Sequence, residues 1–227
     1  MKNQDMELTK RIIKERERNG IVTAVVCGKF GIGKSMYCLQ IAYELYRYLD
    51  YNEHDAWMNA LNSMVYKPVE YATKIKNLGM EVSPIIIIDD ASVHIGSDLY
   101  QTNPKLYSAF KQSLTTIRTK TGALLYNCPM PEEIAKFIRN SDAYQIWLTI
   151  EPGSKYERLA TAWEWRRRST KNGIQRRQYK AWLQPFSCYI PKKYFDIYQA
   201  KRKLYISQPI ERILEDDENN GREKPKE

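Results

Sequence analysis

Four short apolar runs recur along the first two thirds of the chain, and segments with a helical spacing of apolar residues separate them. The runs fall within residues 21–27, 83–92, 122–128 and 143–150. Runs that are apolar throughout predict strands buried on both faces, as in a parallel sheet. The helical spacing predicts helices over residues 7–18, 34–49, 68–79, 104–118 and 131–139. With a further strand expected within residues 56–66, this alternation predicts an α/β fold with a mostly parallel sheet flanked by helices.

The pattern changes after residue 152. Residues 158–168 and 174–184 alternate between apolar and polar side chains, and Asn172-Gly173 between them is a strong turn pair, which predicts an antiparallel hairpin. A helix is expected over residues 191–205, and the last residues are too polar to pack. The predicted organisation is an N-terminal basic helix (1–20), a core (21–152), a basic β-hairpin and helix appended to the core (153–214), and a disordered tail (215–227).

Charge and composition narrow the choice of partner and compartment. The net charge of +9 and a pI near 9.2 favour a polyanion, with nucleic acid as the leading candidate and an anionic membrane surface as the second. The first 20 residues lack an apolar signal core, and no apolar run approaches the ~18 residues of a membrane span. We therefore expect a cytoplasmic protein that does not enter a membrane.

The cysteines show no spacing typical of a metal site. Two of them, Cys27 and Cys38, flank a glycine cluster inside apolar sequence, which indicates thiols of a reducing compartment and not a disulfide framework. The sequence therefore predicts buried thiols at Cys27, Cys38, Cys128 and Cys188.

A glycine-rich stretch follows the first apolar run. Gly28, four residues, and then Gly33-Lys34-Ser35 satisfy the phosphate-loop pattern G-x-x-x-x-G-K-[ST], between a predicted strand and a predicted helix as that pattern requires. Glycines let backbone N–H groups wrap phosphate oxygens, and the helix directs its positive end at the anion. Lys34 would neutralise the β- and γ-phosphates, and Ser35 would bind Mg²⁺. Nucleotide contacts are expected from Gly28, Phe30, Gly31, Ile32, Gly33, Lys34, Ser35 and Met36.

Two aspartates end the second apolar run, about 50 residues later. A carboxylate at the carboxyl end of a parallel strand faces the crevice where ligands bind in α/β sheets. Asp89 is the expected second metal residue, and Asp90 is the expected base that polarises the attacking water. Taken alone, the two acids would equally serve as helix caps.

Together these motifs resemble the additional-strand class of P-loop ATPases, which includes AAA+, RecA-like and FtsK/HerA-like proteins. The resemblance covers residues 21–150 and is nearest to the replication-initiator and helicase-loader type (DnaA/DnaC-like), of archaeal virus or plasmid origin. It implies ATP and Mg²⁺ as cofactors. One departure concerns Asp90, because most members of the class have Glu at this place. The basic hairpin is a second departure, since AAA+ proteins usually continue with a helical lid.

The same resemblance assigns two further residues. Asn127, at the end of the third apolar run, matches the sensor that contacts the γ-phosphate side, although an Asn at this place also simply begins a turn. Arg139 matches an arginine finger that reaches a neighbouring subunit's nucleotide, with Arg118 as the reserve candidate. A basic residue also favours a helix C-terminus without any finger role. A finger acting in trans requires a homo-oligomer.

The hairpin is the expected contact with DNA. Residues 166–180 hold seven Lys or Arg and no acid, and Trp163, Trp165, Tyr179 and Trp182 flank them. Cations on a β-ribbon bind phosphates, and aromatic rings stack on bases; the alternative is that the tryptophans pack on the core. The predicted DNA contacts are Arg166, Arg167, Arg168, Lys171, Arg176, Arg177 and Lys180.

These features predict an oligomeric Mg²⁺-dependent ATPase that acts on single- or double-stranded DNA in replication initiation, helicase loading or translocation. Two alternatives stay open. Asp90 in place of Glu also suits a nucleotide-dependent assembly switch that hydrolyses slowly. A P-loop kinase with a small substrate is the other, with the arginine-rich segment as its lid.

Overall fold

The computed structural model describes the backbone of residues 6–140, 146–153, 157–170 and 173–220, and the side chains of residues 6–139, 146–153, 157–165 and 177–207. The chain divides into two compact units, Met1–Tyr189 and Ile190–Glu227. The first unit holds the sheet and eight α-helices of the described chain, and the second holds one long helix. No helix of the described residues is both long and apolar enough to cross a membrane.

A seven-stranded sheet organises the first unit. Its order is β2-β3-β4-β1-β5-β6-β7, in which the first five strands are parallel neighbours and the last two run antiparallel. The predicted α/β fold, with a mostly parallel sheet followed by an antiparallel hairpin and a helix, is confirmed. The strands are β1 Val22–Cys27, β2 Met64–Val65, β3 Ile86–Ile88, β4 Ala123–Asn127, β5 Ile146–Pro152, β6 Glu157–Thr170 and β7 Gly173–Ser187.

Helices cover both faces of the sheet because its central strands are apolar on both sides. Val25 and Cys27 of β1 belong to a core cluster with residues of the helices from α4 to α8. Ala24 and Val26 point the other way and are fully buried, on a strand that α1 and α2 contact. The helices are α1 Glu7–Glu17, α2 Lys34–Tyr48, α3 Glu53–Ser63, α4 Pro68–Asn77, α5 Ala91–His94, α6 Leu99–Thr102, α7 Pro104–Thr116, α8 Lys136–Asn140 and α9 Lys192–Asn220.

Three of the predicted elements differ in extent or form. The strand expected within residues 56–66 is present only as β2 Met64–Val65. The residues before it belong to α3, whose N-terminus is capped when the Asn52 side chain accepts a hydrogen bond from the Asp55 N–H. The single helix expected over 131–139 is a 3₁₀ turn followed by α8, because Ile134 is extended and bridges to Gly96. Residues 215–220 of the expected disordered tail are helical within α9, and residues 221–227 lie outside the described chain.

The hairpin of β6 and β7 extends the sheet and reaches from one end of it to the other. Pro152, at the carboxyl end of β5, pairs with Arg158, whereas Ile146, at its amino end, pairs with Glu164. We call residues 157–159 and 186–188 the hairpin base, and residues 165–170 and 173–178 the hairpin tip. The base therefore lies at the carboxyl end of the parallel strands. The tip strands pair with each other, and in the described residues β5 does not pair with them.

Candidate functional site

The loop between β1 and α2 has the backbone that the glycine pattern predicts. Gly28, Gly31 and Gly33 have φ values of 147°, 73° and 105°, in the region that side chains disfavour. Close contacts add to this requirement. A Cβ on Gly28 would lie 2.6 Å from the Ile150 carbonyl oxygen, and one on Gly33 would overlap the Cys188 sulfur. The loop is therefore packed between β5 and the hairpin base.

Lys34 begins α2 and its side chain turns back over the loop. Its Nζ donates hydrogen bonds to the carbonyl oxygens of Gly28 at 2.8 Å and Lys29 at 3.0 Å. Burial lowers the pKa of Lys34 below its ordinary value, and the negative charges of Asp90 and then Asp89 oppose that shift. The Lys34 ammonium thus lies where an anion within the loop would meet it, with the carboxylates of the second motif close by.

The most specific feature of the site is a cluster of the buried Asp89 and Asn127 with the half-buried Ser35. The Ser35 hydroxyl donates to both Asp89 carboxylate oxygens, at 2.9 and 3.1 Å. Asn127 Nδ2 donates to Ser35 Oγ at 2.9 Å and also to the Asp89 carboxylate. Asp89 directly follows β3, and Asn127 is the last residue of the adjacent strand β4. Because β4 also pairs with β1, after which the loop with Ser35 begins, the sheet order brings Ser35, Asp89 and Asn127 together.

These side chains fit a hydrated Mg²⁺ ion. Carboxylate, hydroxyl and amide oxygens are hard donors, which Mg²⁺ prefers together with retained waters. Asn127 Oδ1 is buried and accepts no hydrogen bond from any described residue. A buried acceptor without a donor costs about 1–3 kcal/mol, and a metal-bound water would supply the donor. Ser35 and Asp89 are thus the residues that would hold the ion.

Asp90 directly follows the metal candidate and has unusual backbone geometry. Its φ of 49° and ψ of 43° are left-handed, a conformation that Asp and Asn adopt more readily than Glu. The residue is half-buried at the start of α5, and its side chain makes no capping hydrogen bond there. Its negative charge opposes the lowering of the Lys34 pKa that burial causes. Asp90 therefore belongs to the site and does not cap the helix.

The other predicted nucleotide contacts differ in their environment. The Phe30 ring is largely exposed at the outside of the loop, with its centroid 5.5 Å from Lys34 Nζ. The Met36 side chain is buried in the core, which leaves only its backbone N–H for a ligand. The loop therefore offers mainly backbone groups to a nucleotide.

The structure does not bring the two arginine-finger candidates into hydrogen-bonding contact with the loop in the described chain. Arg139, in α8, donates from Nε to the Ile134 carbonyl oxygen at 2.9 Å and is half-buried. Arg118 is exposed on a 3₁₀ turn after α7. A finger role for either residue stays a prediction.

Arg158, at the hairpin base, is a contact of the loop that the sequence did not reveal. Its Nε donates to the Ile32 carbonyl oxygen at 3.1 Å, and its Nη1 donates to the carbonyl oxygen of Glu157 at 2.9 Å. The two partners Arg158 and Ile32 are 126 positions apart. No local pattern marks Arg158, because the contact depends on how β6 pairs with β5.

The hairpin tip carries most of the predicted DNA contacts. In register, Arg166 lies opposite Arg177, and Arg167 opposite Arg176. Arg177 and Lys180 are exposed, the side chains of the four predicted contacts from Arg166 to Arg176 are not described, and Lys171 lies outside the described residues. Like charges directly opposite each other destabilise a hairpin unless another charge compensates them, and an anionic partner at the tip stays a prediction.

The flanking aromatic residues divide into two groups. Trp165 packs against the core cluster, together with Trp147 of β5. Trp163 and Trp182 are half-buried, whereas Tyr179 is the exposed one of the four flanking rings. The interpretation of the tryptophans as core residues therefore fits Trp165, which is partly buried against the cluster, and base stacking by the flanking rings stays a prediction.

All four cysteines are free, and three of them are buried. Cys38 is fully enclosed in α2, and Cys27 and Cys128 lie at the ends of β1 and β4 with their sulfur atoms 3.5 Å apart. Cys188, which touches the loop at Gly33, is only half-buried. The prediction of buried thiols thus fits three residues and is wrong for Cys188, whose side chain is partly exposed beside the loop at the hairpin base.

Comparisons with known proteins give one relative by sequence and several similar structures. No protein-family model matches the chain. The protein named "Uncharacterized protein B-251" of Sulfolobus spindle-shape virus 1 is 26% identical over 229 residues, which cover 98% of this chain and 90% of that protein. This relative matches the described core and the hairpin alike, since the alignment spans nearly the whole of both chains.

Three solved structures are similar at low identity. The N-terminal domain of zonular occludens toxin from Neisseria meningitidis is 12% identical, with a TM-score of 0.40, over 78% of this chain and 97% of that one. A KaiC-like protein from Pyrococcus horikoshii is 14% identical, with a TM-score of 0.35, over 70% of this chain and 91% of that one. The flagellar accessory protein FlaH from Methanocaldococcus jannaschii is 16% identical, with a TM-score of 0.39, over 77% of this chain and 96% of that one. At these TM-scores the similarities do not bear on the function of this chain.

Proposed function

We propose that this chain is a Mg²⁺-dependent ATPase of the P-loop type. The observation that carries the proposal is the hydrogen-bonded pair of Ser35 and Asp89, which joins the end of the glycine loop to the strand-end carboxylate. A chance glycine turn would have no reason to place a hydroxyl against a buried carboxylate. The sheet order also supports the proposal, because β4 lies between β1 and β3 and so supplies the strand after which the additional-strand class is named.

Each residue of the site then has a role in phosphoryl transfer to water. Bound Mg²⁺ would draw negative charge from the phosphate oxygens. The loop amides and Lys34 bind and orient the β- and γ-phosphates, while Ser35 and Asp89 hold the ion. Asn127 contacts the nucleotide on the side of its γ-phosphate, and Asp90 accepts a proton from the attacking water. These assignments rest on the contacts of the described site and on the charge of Asp90 beside Lys34.

The finer part of the proposal is action on DNA in replication initiation, helicase loading or translocation. The paired arginines of the hairpin tip and the net charge of +9 support a DNA partner. The near full-length relative in a virus supports a viral origin, and the DnaA/DnaC-like role is proposed from the motifs alone. We further propose a homo-oligomer in which Arg139 serves a neighbouring subunit.

The kinase alternative loses its main support. A kinase lid must close over the phosphate loop, which follows the carboxyl end of β1. The arginine-rich hairpin tip extends beyond the amino end of β5, which is parallel to β1. The tip is therefore at the wrong end of the sheet to cover a nucleotide in the loop.

The slow-hydrolysing assembly switch is the second candidate, and the geometry of Asp90 favours it. Asp90 has a shorter side chain than Glu, and its left-handed backbone fixes the direction in which that side chain leaves the chain. If that carboxylate cannot reach the water, nucleotide binding persists while turnover is slow. The rate of ATP hydrolysis by the wild-type chain, with and without DNA, separates the two candidates.

DNA stimulation and its loss in a hairpin variant test the proposed action on DNA. We expect single- or double-stranded DNA to raise the ATPase rate of the wild type. Replacement of Arg166, Arg167, Arg176 and Arg177 by Gln should abolish the stimulation and reduce the slope of log K against log salt by about 3 to 4 on duplex DNA. The matched control changes four exposed lysines, Lys14, Lys76, Lys105 and Lys111, to Gln. Equal DNA binding by both variants would make the hairpin a structural element.

An Arg139→Ala variant tests the oligomer. We expect the ATPase rate to fall about 10³-fold or more, as for other arginine fingers, while the Kd for ATP stays within a few-fold. Mixing Arg139→Ala with Lys34→Ala subunits should restore part of the activity, because each supplies what the other lacks. Arg118→Ala serves as the comparison. If nucleotide affinity falls in parallel with the rate, Arg139 supports folding through its bond to Ile134 and is not a finger.

A further inference from the structure

The hairpin base makes two contacts with the same peptide of the phosphate loop. Arg158 donates to the Ile32 carbonyl oxygen at 3.1 Å, and the Cys188 sulfur lies against the Cα of Gly33. Arg158 is itself fixed, because its Nη1 donates to the backbone of Glu157 on the same strand. The Ile32–Gly33 peptide is thus in contact with both sides of the hairpin base, and the Cys188 thiol is also a weak donor to the Ile32 carbonyl oxygen at 3.9 Å.

The direction of that peptide determines where a phosphate-binding N–H points. The Ile32 C=O and the Gly33 N–H belong to one planar trans unit, in which they point in opposite directions. Because Arg158 draws the C=O toward β6, the Gly33 N–H points away from β6. In the phosphate-loop pattern, the backbone N–H groups of these glycine-rich residues are the ones that cradle phosphate. Arg158 therefore controls the aim of a ligand-binding group without touching the ligand.

The far end of the hairpin is positioned to influence this contact. β6 and β7 pair from Glu157–Ser187 to Thr170–Gly173, with one register shift between Ala162 and Trp163, over a length of roughly 45 Å at about 3.3 Å per residue. The base is also tied to α2, since Gln40 donates to the carbonyl oxygens of Ser187 at 2.6 Å and Tyr189 at 2.8 Å. A change in the hairpin therefore reaches both sides of the phosphate loop.

We propose that Arg158 is a positioning residue that orients the Ile32–Gly33 peptide for phosphate and couples the loop to the hairpin tip. The coupling rests on the proposed function, in which the loop binds ATP and the tip binds DNA. An anion that binds to both strands of the tip joins them and stiffens the hairpin. A stiffer base holds Arg158 on Ile32 more firmly. DNA therefore tightens nucleotide binding, and nucleotide tightens DNA binding by the same factor.

Hydrogen exchange tests the positioning role without any ligand. In Arg158→Ala, amide exchange in residues 28–35 should accelerate at least about fivefold, while exchange in β4 stays unchanged. The control is Arg18→Ala, an exposed arginine of the same unit. A loop that exchanges at the wild-type rate in Arg158→Ala would overturn the positioning role, whether or not the chain binds ATP or DNA. Unchanged exchange in β4 shows that the variant is folded.

A binding cycle tests the coupling. The Kd of a ribose-labelled fluorescent ATP analogue with Mg²⁺ is measured with and without a saturating 30-nucleotide DNA, and the Kd for DNA is measured with and without nucleotide. We expect both ratios to be about fivefold or larger in the wild type and close to one in Arg158→Ala. Arg158→Lys should not restore them, because an ammonium on a flexible stem does not hold the two carbonyls as a planar guanidinium does.

The outcomes separate this proposal from the proposed function. Wild-type binding of both ligands with ratios near one overturns the coupling and leaves the proposed ATPase intact. Ratios that persist in Arg158→Ala overturn the role of Arg158 alone. A wild type that binds neither ligand refutes the proposed function and the coupling together, and the exchange experiment then decides the positioning role separately.

Discussion

Replacement of Lys34 by alanine is expected to weaken the binding of Mg·ATP by about two orders of magnitude. A hydrogen bond to a charged group contributes about 1.5–3 kcal/mol, and about 1.4 kcal/mol corresponds to a tenfold change in Kd. Of the residues in the phosphate-loop pattern, Lys34 is the cation whose side chain folds over the loop, where it donates hydrogen bonds to the carbonyl oxygens of Gly28 and Lys29. Equilibrium binding of a fluorescent ATP analogue measures the change.

The matched control for Lys34→Ala is Lys29→Ala. Lys29 belongs to the same loop and carries the same charge, but its side chain is exposed and the pattern assigns it no role. We expect that variant to bind ATP within a few-fold of the wild type. Thermal unfolding of both variants shows whether the loss of the two loop hydrogen bonds affects folding. If the folded Lys34→Ala variant binds ATP with the affinity of the wild type, the loop is not the nucleotide-binding site.

Replacement of Asp90 by asparagine should reduce the rate of ATP hydrolysis by about 10²–10⁴-fold, the usual contribution of a general base. Asn keeps the size of Asp and tolerates the left-handed backbone at this position, with φ 49°, so the change removes the base and little else. Nucleotide affinity should change only a few-fold. Single-turnover hydrolysis measures the chemical step, and equilibrium binding measures the affinity.

The pH dependence gives Asp90→Asn a second readout. Burial lowers the pKa of Lys34, and the charge of Asp90 is the largest of the influences that oppose this shift. Without that charge the pKa of Lys34 falls further. Lys34 in the variant then loses its proton at a lower pH than in the wild type. The decrease of ATP affinity on the alkaline side should therefore begin at a lower pH.

Asp98→Asn is the control for the Asp90 variant, because Asp98 is an exposed acid of the same segment. It should leave the rate and the pH dependence unchanged. If Asp90→Asn hydrolyses ATP as fast as the wild type, Asp90 is not the base. A wild type that binds ATP but barely hydrolyses it, with or without DNA, would favour the assembly switch.

The sequence predicts those parts of the site that depend on local pattern. Gly28 to Ser35 and the Asp89-Asp90 pair each follow an apolar run, and a buried run of β-branched residues has few alternatives to a central strand. Asn127 was predictable because it ends such a run as well. Once these runs are parallel neighbours, their carboxyl ends meet, and the contacts of Ser35 with Asp89 follow from topology.

The parts that the sequence does not predict depend on register or on competition between local signals. Arg158 contacts Ile32 only because β6 pairs with β5 so that Arg158 lies opposite Pro152. Residues 56–66 contain apolar β-formers at their end, yet the Asn52 cap and the buried Ala56 and Trp57 favour a helix through Ser63. The helix expected over 131–139 breaks at Ile134, whose backbone pairs with a glycine 38 positions earlier.

The separation of the hairpin into a base and a tip has a consequence for evolution. The tip strands pair with each other, and of the hairpin residues in the described chain β5 pairs only with residues 158–164. Apart from Trp165, which packs on the core cluster, substitutions in the tip therefore leave the pairing of the hairpin with β5 in place. A new binding target can thus be acquired by replacement of tip residues alone, so lineages that share this fold are expected to diverge fastest at the tip.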